Sequence, residues 1–334
     1  VSAGLRTALE RSARFTRAIR EHFSRTGYVE VDTPVLSPFL IPEPAIEVFR
    51  TELLSSRGGG PDLYLAPSPE LWMKRLIARG SGSIFQISRS FRNGDFASPL
   101  HNPEFRLLEY YTVGGTYLDS IAVTESLFSH LLGTAGPAAP VERLAPPFLR
   151  LSMEEAFRQH AGIELASCQD AQSMVRAGAG KGLAIPADAN WEEAFHIVFL
   201  TLVEPSLPLE KPVVLIDYPA LVPTTARRKP GTPWAERWEL YIQGVEVANC
   251  YTEETDLAAL ERLFNEEEER KRGCRVPHEI DREIPRLIAA GPSRCSGVAL
   301  GVDRLEMLFF GERDLGGVIF FPLSTIIPPY PATD

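Results

Sequence analysis

The sequence predicts an α+β fold in which a mostly antiparallel sheet is flanked by helices. Three observations lead there. Candidate strands come in clusters instead of alternating regularly with helices, which disfavours a doubly wound sheet. No internal repeat divides the chain into stacked units. The composition is that of an ordinary globular protein: 334 residues, 44% apolar and 23% charged, enough for a sizeable core and too apolar for wholesale disorder.

The first element is an amphipathic helix over 3–25. Leu5, Leu9, Phe15, Ile19 and Phe23 fall near one face, and Gly27 ends it. YVEVDTPVL (28–36) alternates Val29, Val31 and Val35 with Glu30 and Asp32, and reads as a strand broken by Pro34. SRGGGP (56–61) reads as a loop. In LYLAPSPELWMKRLIARG (63–80) a short strand meets a Ser-Pro-Glu helix start and then a helix. SIFQISRSFRN (83–93) and FRLLEYYTV (105–113) read as strands, the second with Glu109 inside an apolar pattern. Residues 119–133 read as a helix.

The Ala/Pro-rich stretch 134–148 is the best linker candidate. It opens a middle section of weaker signals, helical at 151–160 and 190–203. Strands return at VVLID (213–217) and RWELYIQGVEVANCY (237–251). LAALERLFNEEEERKRG (257–273) is a charged helix, and its run Glu266–Arg272 reads as a solvated face with i,i+4 pairs. SGVALGVDRLEMLFFG (296–311) reads as strand, glycine turn and helix.

Charge and cysteine usage narrow the function classes. Lys and Arg total 34 against 44 Asp and Glu, a net charge of −10, which argues against tRNA or DNA as the main partner. The four cysteines are far apart and lack CxxC spacing, so a structural zinc site is not expected. Few cysteines, no membrane-length apolar run and an N-terminus interrupted by Arg and Glu point to an intact cytoplasmic protein with no membrane association.

Four segments carry chemistry suited to a nucleotide triphosphate and an amine. Phe91-Arg92-Asn93 is followed after a short loop by His101-Asn102-Pro103-Glu104-Phe105. An arginine at a strand end is a natural phosphate clamp and Phe105 can stack on a purine; the plainer reading is a surface Arg and a core Phe. In Gly297-Val298-Ala299-Leu300-Gly301-Val302-Asp303-Arg304, small residues allow close backbone approach and Arg304 opens a helix facing the ligand. Glu239 and Glu246 lie on one candidate strand. Alternation puts them on opposite faces, a bulge or turn at Gly244 puts them on one, and there they suit Mg²⁺; otherwise they are solvent-facing. Glu70, Glu109 and Glu253 sit in apolar company. They either form buried salt bridges to internal Lys or Arg, or await a cationic ligand such as a diamine.

Together these segments resemble the catalytic core of a class II aminoacyl-tRNA synthetase of the lysyl branch, over residues 5 to 325. GYVEVDTPVL looks like motif 1 with Pro34 as its proline, FRN…HNPEFRLLEYY like motif 2, and GVALGVDRLEML like motif 3. The chain begins almost at the helix before motif 1, so an N-terminal OB-fold that reads an anticodon is not expected. In this it resembles the elongation factor P–lysine ligase family. The resemblance implies one catalytic domain over 1–334, with 134–210 a more divergent helical section.

By position, the resemblance implies that Arg92 holds the α-phosphate while Phe105 and Arg304 sandwich the adenine. His101 lies near the γ-phosphate, with Asn93, Asn102 and Gly301 also toward ATP. Glu239 and Glu246 hold Mg²⁺. Ser68 and Glu70 lie near the amino and carboxylate end of the substrate. Glu109, Tyr111 and Glu253 take the distal ammonium, with Asn249 close by and Glu109 and Glu253 free of any competing cation. Ala299 stands where lysyl-tRNA synthetases usually have glycine, and its methyl crowds an α-amino group.

The implied reaction is activation of lysine or (R)-β-lysine by ATP and transfer to a lysine of elongation factor P, by a homodimer joined through motif 1 and the apolar face of residues 5–23. Two other readings stay open: the same activation with another acceptor (a tRNA, a small amine or a carrier protein), and a non-catalytic paralogue. Departures from the family pattern are Gly94-Asp95 in place of the glutamate after FRN, with Asp95 as a substitute after a one-residue slip, and Cys250-Tyr251 in place of Gly-Phe, with Cys250 adding bulk behind the amine pocket. No residue in the sequence stands out as general base of the transfer step.

Overall fold

The computed structural model describes residues 3–55, 58–94, 98–134 and 141–327. Helix α1 (Ala3–Arg25) leads into the short strands β1 (Val29–Glu30) and β2 (Leu36–Ser37), then a hairpin of β3 (Phe49–Ser55) and β4 (Gly58–Leu65). Next come α2 (Glu70–Ala78), β5 (Ile84–Phe91), β6 (Glu104–Val113) and α3 (Tyr117–Thr134). The middle section holds α4 (Val141–Leu144), β7 (Leu149–Ser152), α5 (Met153–Ala156), α6 (Ala171–Ala179) and α7 (Trp191–Val198). Strands β8 (Val213–Pro219), β9 (Trp234–Ile242) and β10 (Val245–Thr252), helices α8 (Leu257–Lys271) and α9 (Ile284–Ala289), strand β11 (Cys295–Gly301) and helices α10 (Val302–Phe309) and α11 (Leu323–Ile326) complete it.

The α+β expectation holds. Eight strands form one sheet in the order β1-β5-β6-β11-β10-β9-β8-β7, antiparallel except at its two edges, and β2-β4-β3 form a small second sheet. The middle section is tied in by β7 pairing with β8. One face of the large sheet carries Leu108, Tyr110, Trp238, Leu240, Cys250, Val298 and Leu300, packed against Phe15, Ile19 and Phe23 of α1 and Ile121, Leu127 and Phe128 of α3. At full burial each such side chain contributes roughly 1.5–3 kcal/mol. Among the described residues the opposite face is covered at its ends. Phe157, Phe195 and Phe199 of the middle section pack on Leu215 and Tyr241 at one end. Met73 and Ile77 of α2 pack on Ile84, Tyr111 and Cys295 at the other. Between these covers a strip of sheet stays open.

Several local expectations change. Gly58–Pro61 is strand, not loop: Gly58 and Gly59 pair with Ser55 and Leu54, so tertiary pairing overrides the glycine signal. The linker reading fails at its C-terminal part, where Leu144 and Phe148 are buried in the main core; residues 135–140 lie outside the described residues. Helix α6 was not anticipated; Asp170 caps it through Ser173. The run Glu266–Arg272 is not all solvated. Lys271 is 1% exposed and donates to the Ile46 carbonyl at 2.6 Å, and Glu267 is buried beside Arg270. Among the described residues no helix is long and apolar enough to cross a membrane.

Candidate active site

The open strip of sheet gathers most of the anticipated residues. Alternation along β6 sends Phe105, Glu109 and Tyr111 away from the α1–α3 core. Strand register then builds rows. Glu239, Asn249, Ala299 and Glu109 lie side by side across β9, β10, β11 and β6, and the neighbouring row is Arg237, Tyr251, Gly297 and Tyr111. Glu246 joins this face by way of the hairpin. Gln243 (φ 51°) and Gly244 (φ 77°) form its tight turn, Glu246 pairs with Tyr241, and a register shift at Val247 keeps Asn249 on the same face. The turn at Gly244 therefore does what the sequence required of it, with the two glutamates on two strands instead of one.

At one end is a cleft lined by Arg92, His101, Asn102, Phe105, Glu246, Asn249, Ala299, Gly301 and Arg304. Arg304 donates to the Leu100 carbonyl at 3.3 Å and the Glu246 carbonyl at 2.8 Å, and its Nη2 lies 2.9 Å from His101 Nε2. The Arg92 guanidinium lies 5.3 Å from the Phe105 ring centre, and its buried Nε has no hydrogen-bond partner. A buried donor left unused in a cleft suits an anion. Asn93 turns elsewhere: its backbone and side chain donate to Glu47 and Val48 carbonyls, and it does not line the cleft. Asp95 lies outside the described residues.

Glu239 is anchored by three donors: Arg237 at 2.6 Å, Tyr218 Oη at 2.6 Å and Tyr241 Oη at 2.7 Å. Tyr218 reaches it because a bulge at Asp217 (φ 63°) turns Tyr218 to the site face. Burial and the Glu239 charge push the Glu246 carboxyl up to about 7. A carboxylate raised in this way suits a hard cation. Among the described residues no group of three His, Cys, Asp or Glu could hold a metal, so other ligands, such as phosphate oxygens, would have to complete the sphere.

The carboxylate end corrects one expectation and sharpens another. Glu253 is not free of competing cations. Lys74, 3% exposed, sits 2.8 Å from Glu253 and 2.6 Å from Glu70, and Tyr251 Oη donates to Glu70 at 2.6 Å. Burial opposes the Lys74 charge, but Glu253 and Glu70 outweigh it and hold the ammonium well above its ordinary range. One lysine cannot neutralise two carboxylates: burial and the Glu70 charge push Glu253 up to about 7 against the opposing pull of Lys74. Among the described residues Glu109 has no cation within salt-bridge distance. It is 3% exposed, with the Tyr111 hydroxyl donating at 3.5 Å, and burial followed by the Glu70 charge holds its carboxyl well above the usual range. Ser68 approaches the Glu109 side chain and also accepts from the Glu70 N–H at 3.3 Å. The pocket thus sets three carboxyl groups, Glu70, Glu109 and Glu253, against the single Lys74 cation, and a second cation entering it would favour their ionised forms.

Gly297 is needed here. A Cβ there would lie 2.7 Å from the Tyr111 ring and 3.1 Å from a Glu253 oxygen. Cys250 does not crowd this pocket; it faces the α3 core. Sequence reasoning missed Lys74, Tyr218, Tyr241, Arg237 and the Arg106–Asp303 clasp. For Lys74 the i,i+4 spacing from Glu70 was the available signal.

Comparison with known proteins decides the family. The chain matches the model of the class II tRNA synthetases (D, K and N) over residues 1–325. It belongs to that family. Among relatives of this class II chain, an elongation factor P–(R)-β-lysine ligase of Salmonella paratyphi A is 35% identical over 97% of both chains. A homologue of that ligase from Aquifex aeolicus is 34% identical over 92% of this chain and 96% of its own. A lysine–tRNA ligase of Pelotomaculum thermopropionicum is 32% identical over 97% of this chain, which spans 64% of that protein's length. The resemblance to the elongation factor P–lysine ligases is borne out at full length, and these relatives are ligases by name.

Proposed function

We propose that this class II ligase activates lysine or (R)-β-lysine with ATP as the acyl-adenylate and passes it to a lysine side chain of elongation factor P. One observation carries the reading: relatives bearing that activity in their name align over 97% of both chains. The site chemistry supports it. Attack of a carboxylate on the α-phosphate brings two anions together, so catalysis is positioning plus charge neutralisation. Arg92 and Arg304 supply the cations, Phe105 and Arg304 flank the base, and His101, Asn102 and Gly301 line the remaining wall.

Glu239 and Glu246 fit Mg²⁺, which when bound would neutralise phosphate charge. Glu109, Tyr111 and Asn249 receive the distal ammonium, and the excess of carboxyl groups over the single Lys74 cation favours a cationic side chain, whose arrival would stabilise their ionised forms. Ala299 stands between Asn249 and Glu109, where its methyl favours an amine shifted from the α-carbon. No enzyme nucleophile is required. The test is intact mass of elongation factor P after incubation with enzyme, ATP, Mg²⁺ and either amino acid. We expect a gain of one lysyl unit that depends on ATP; no gain despite pyrophosphate exchange would move the reading to another acceptor. That second reading is favoured by the lysine–tRNA ligase relative, and a charge of −10 weighs against tRNA. We place the reaction in the cytoplasm.

A further inference from the structure

The strip of sheet opens into a second cavity on the side of α8, lined by Glu43, Glu70, Arg92, Asn249, Tyr251 and Glu267, among others. It adjoins the nucleotide cleft, since Arg92 and Asn249 line both. An acceptor amine that reaches an adenylate held on Arg92 has to approach from such a side. That amine arrives protonated, because a lysine ammonium titrates near ~10.4, and an ammonium cannot attack a carbonyl. A base with an unengaged oxygen must stand in its path.

The carboxylates around this cavity are nearly all engaged. Glu70 holds Lys74 and Tyr251. Glu239 holds three donors. Glu192 and Glu267 share Arg270, at 3.0 and 2.8 Å. Glu43 differs: among the described residues its carboxylate has no hydrogen bond and no ion pair. Its position is nonetheless fixed. Pro42 and Pro44 flank it, the Ile46 N–H donates to its carbonyl at 3.0 Å, and Lys271 of α8 clamps Ile46. The Asn93 N–H donates to the Glu47 carbonyl at 2.8 Å, which ties this loop to the segment that carries Arg92.

Resting on the proposed acyl transfer to an amine, we propose that Glu43 is the general base that deprotonates the acceptor ammonium. One proton passes from the ammonium nitrogen to a Glu43 oxygen. The freed lone pair forms the C–N bond at the adenylate carbonyl. The bond from that carbon to the phosphate oxygen breaks, AMP leaves with the electron pair, and the second nitrogen proton goes to the departing phosphate. The charges facing Glu43 tune it for this: burial and Glu70 raise its carboxyl to about 7, against Arg92, Lys74 and Lys271, which lower it.

The test separates the two half-reactions in Glu43→Gln. Pyrophosphate exchange reports adenylation. Single-turnover transfer from preformed adenylate is followed to elongation factor P, to Nα-acetyl-lysine amide and to hydroxylamine, whose nitrogen is already neutral at neutral pH. We expect exchange within about threefold of wild type, transfer to both lysine amines slower by about 10²-fold at neutral pH and recovering as pH rises, and an unchanged hydroxylamine rate. Equal transfer rates in mutant and wild type overturn the proposal. So does a raised KM for the amino acid in exchange with normal transfer, which would make Glu43 part of the substrate pocket. Wild-type enzyme that forms adenylate yet transfers to neither lysine amine overturns the acyl-transfer reading itself, and this inference with it.

Discussion

Arg304 commits three nitrogens to Leu100, Glu246 and His101, so its guanidinium plane is set before any ligand arrives. Preorganised charge of this kind is worth most where charge develops in the transition state. Arg304→Ala should lower amino-acid-dependent pyrophosphate exchange by about 10²–10³-fold with little change in the circular dichroism spectrum. Unchanged exchange would remove Arg304 from the site. At Gly297 the constraint is steric. Gly297→Ala places a methyl against Tyr111 and Glu253, and overpacking there should cost about 1–3 kcal/mol in urea unfolding and raise KM for the amino acid more than for ATP. A mutant as stable and as active as wild type would show that the pocket yields. At this scale the sequence was informative wherever a residue type matched its chemistry in one dimension: Phe105 and Glu109 fall on the site face because strand alternation is local, Arg92 directly follows β5, and Arg304 stands in the first turn of α10. The Lys74 pairing with Glu253 was hidden, because it joins α2 to the residue just after β10, and no periodicity reports a contact 179 positions away.

Elements hold these residues in place through a few buried charges. Arg106 of β6 clasps the start of α10: its N–H and Nε donate to Asp303 at 2.7 and 2.6 Å, and its Nη2 to Glu306 at 2.6 Å. The helix that presents Arg304 is thereby fixed to the strand that presents Phe105 and Glu109. Breaking a buried pair on one side costs about 3–5 kcal/mol, so Asp303→Ala should lower the urea midpoint clearly and lower exchange beyond what the lost stability explains. An unchanged midpoint would mean that Arg106 finds another partner. On the far side of the sheet, His22 of α1 packs against His130 of α3 with ring centres 5.6 Å apart. Burial, then the His130 charge, lowers its pKa from 6.5 to about 4. A histidine depressed in the folded state leaves stability intact above 6.5 and removes it as pH falls toward 4, on the order of 3 kcal/mol in all. His22→Gln should flatten the stability–pH curve in that window; a curve of unchanged slope would assign the acid sensitivity to other groups. The strands and helices themselves were mostly legible, since their patterns are periodic. The hairpin strand at Gly58 and the buried Lys271 were not, because each is decided by what packs against it.

The whole molecule leaves apolar surface where the motif 1 resemblance places a two-fold contact. The apolar face of α1 is divided: Phe15, Ile19 and Phe23 are consumed by the chain's own core, while Leu5 and Leu9 are 44% and 45% exposed. Val29 and Leu36 lie beyond the end of that helix, 58% and 45% exposed. Two copies of a chain with net charge −10 repel at long range. A dimer must therefore be held by apolar burial at short range and should tighten as salt screens the repulsion. A two-fold contact counts each side chain twice. Leu36 is already about half buried in one copy, so burying the rest in both is worth roughly 1.5–3 kcal/mol, about 10–10²-fold in the dissociation constant. We expect sedimentation at micromolar concentration to give twice the chain mass, and Leu36→Glu to give the monomer. A wild-type monomer would refute the dimer outright. A dimer unaffected by Leu36→Glu would place the contact elsewhere on the surface. A dimer that loosens with added salt would mean that ion pairs, not the exposed leucines and valines, hold the two copies.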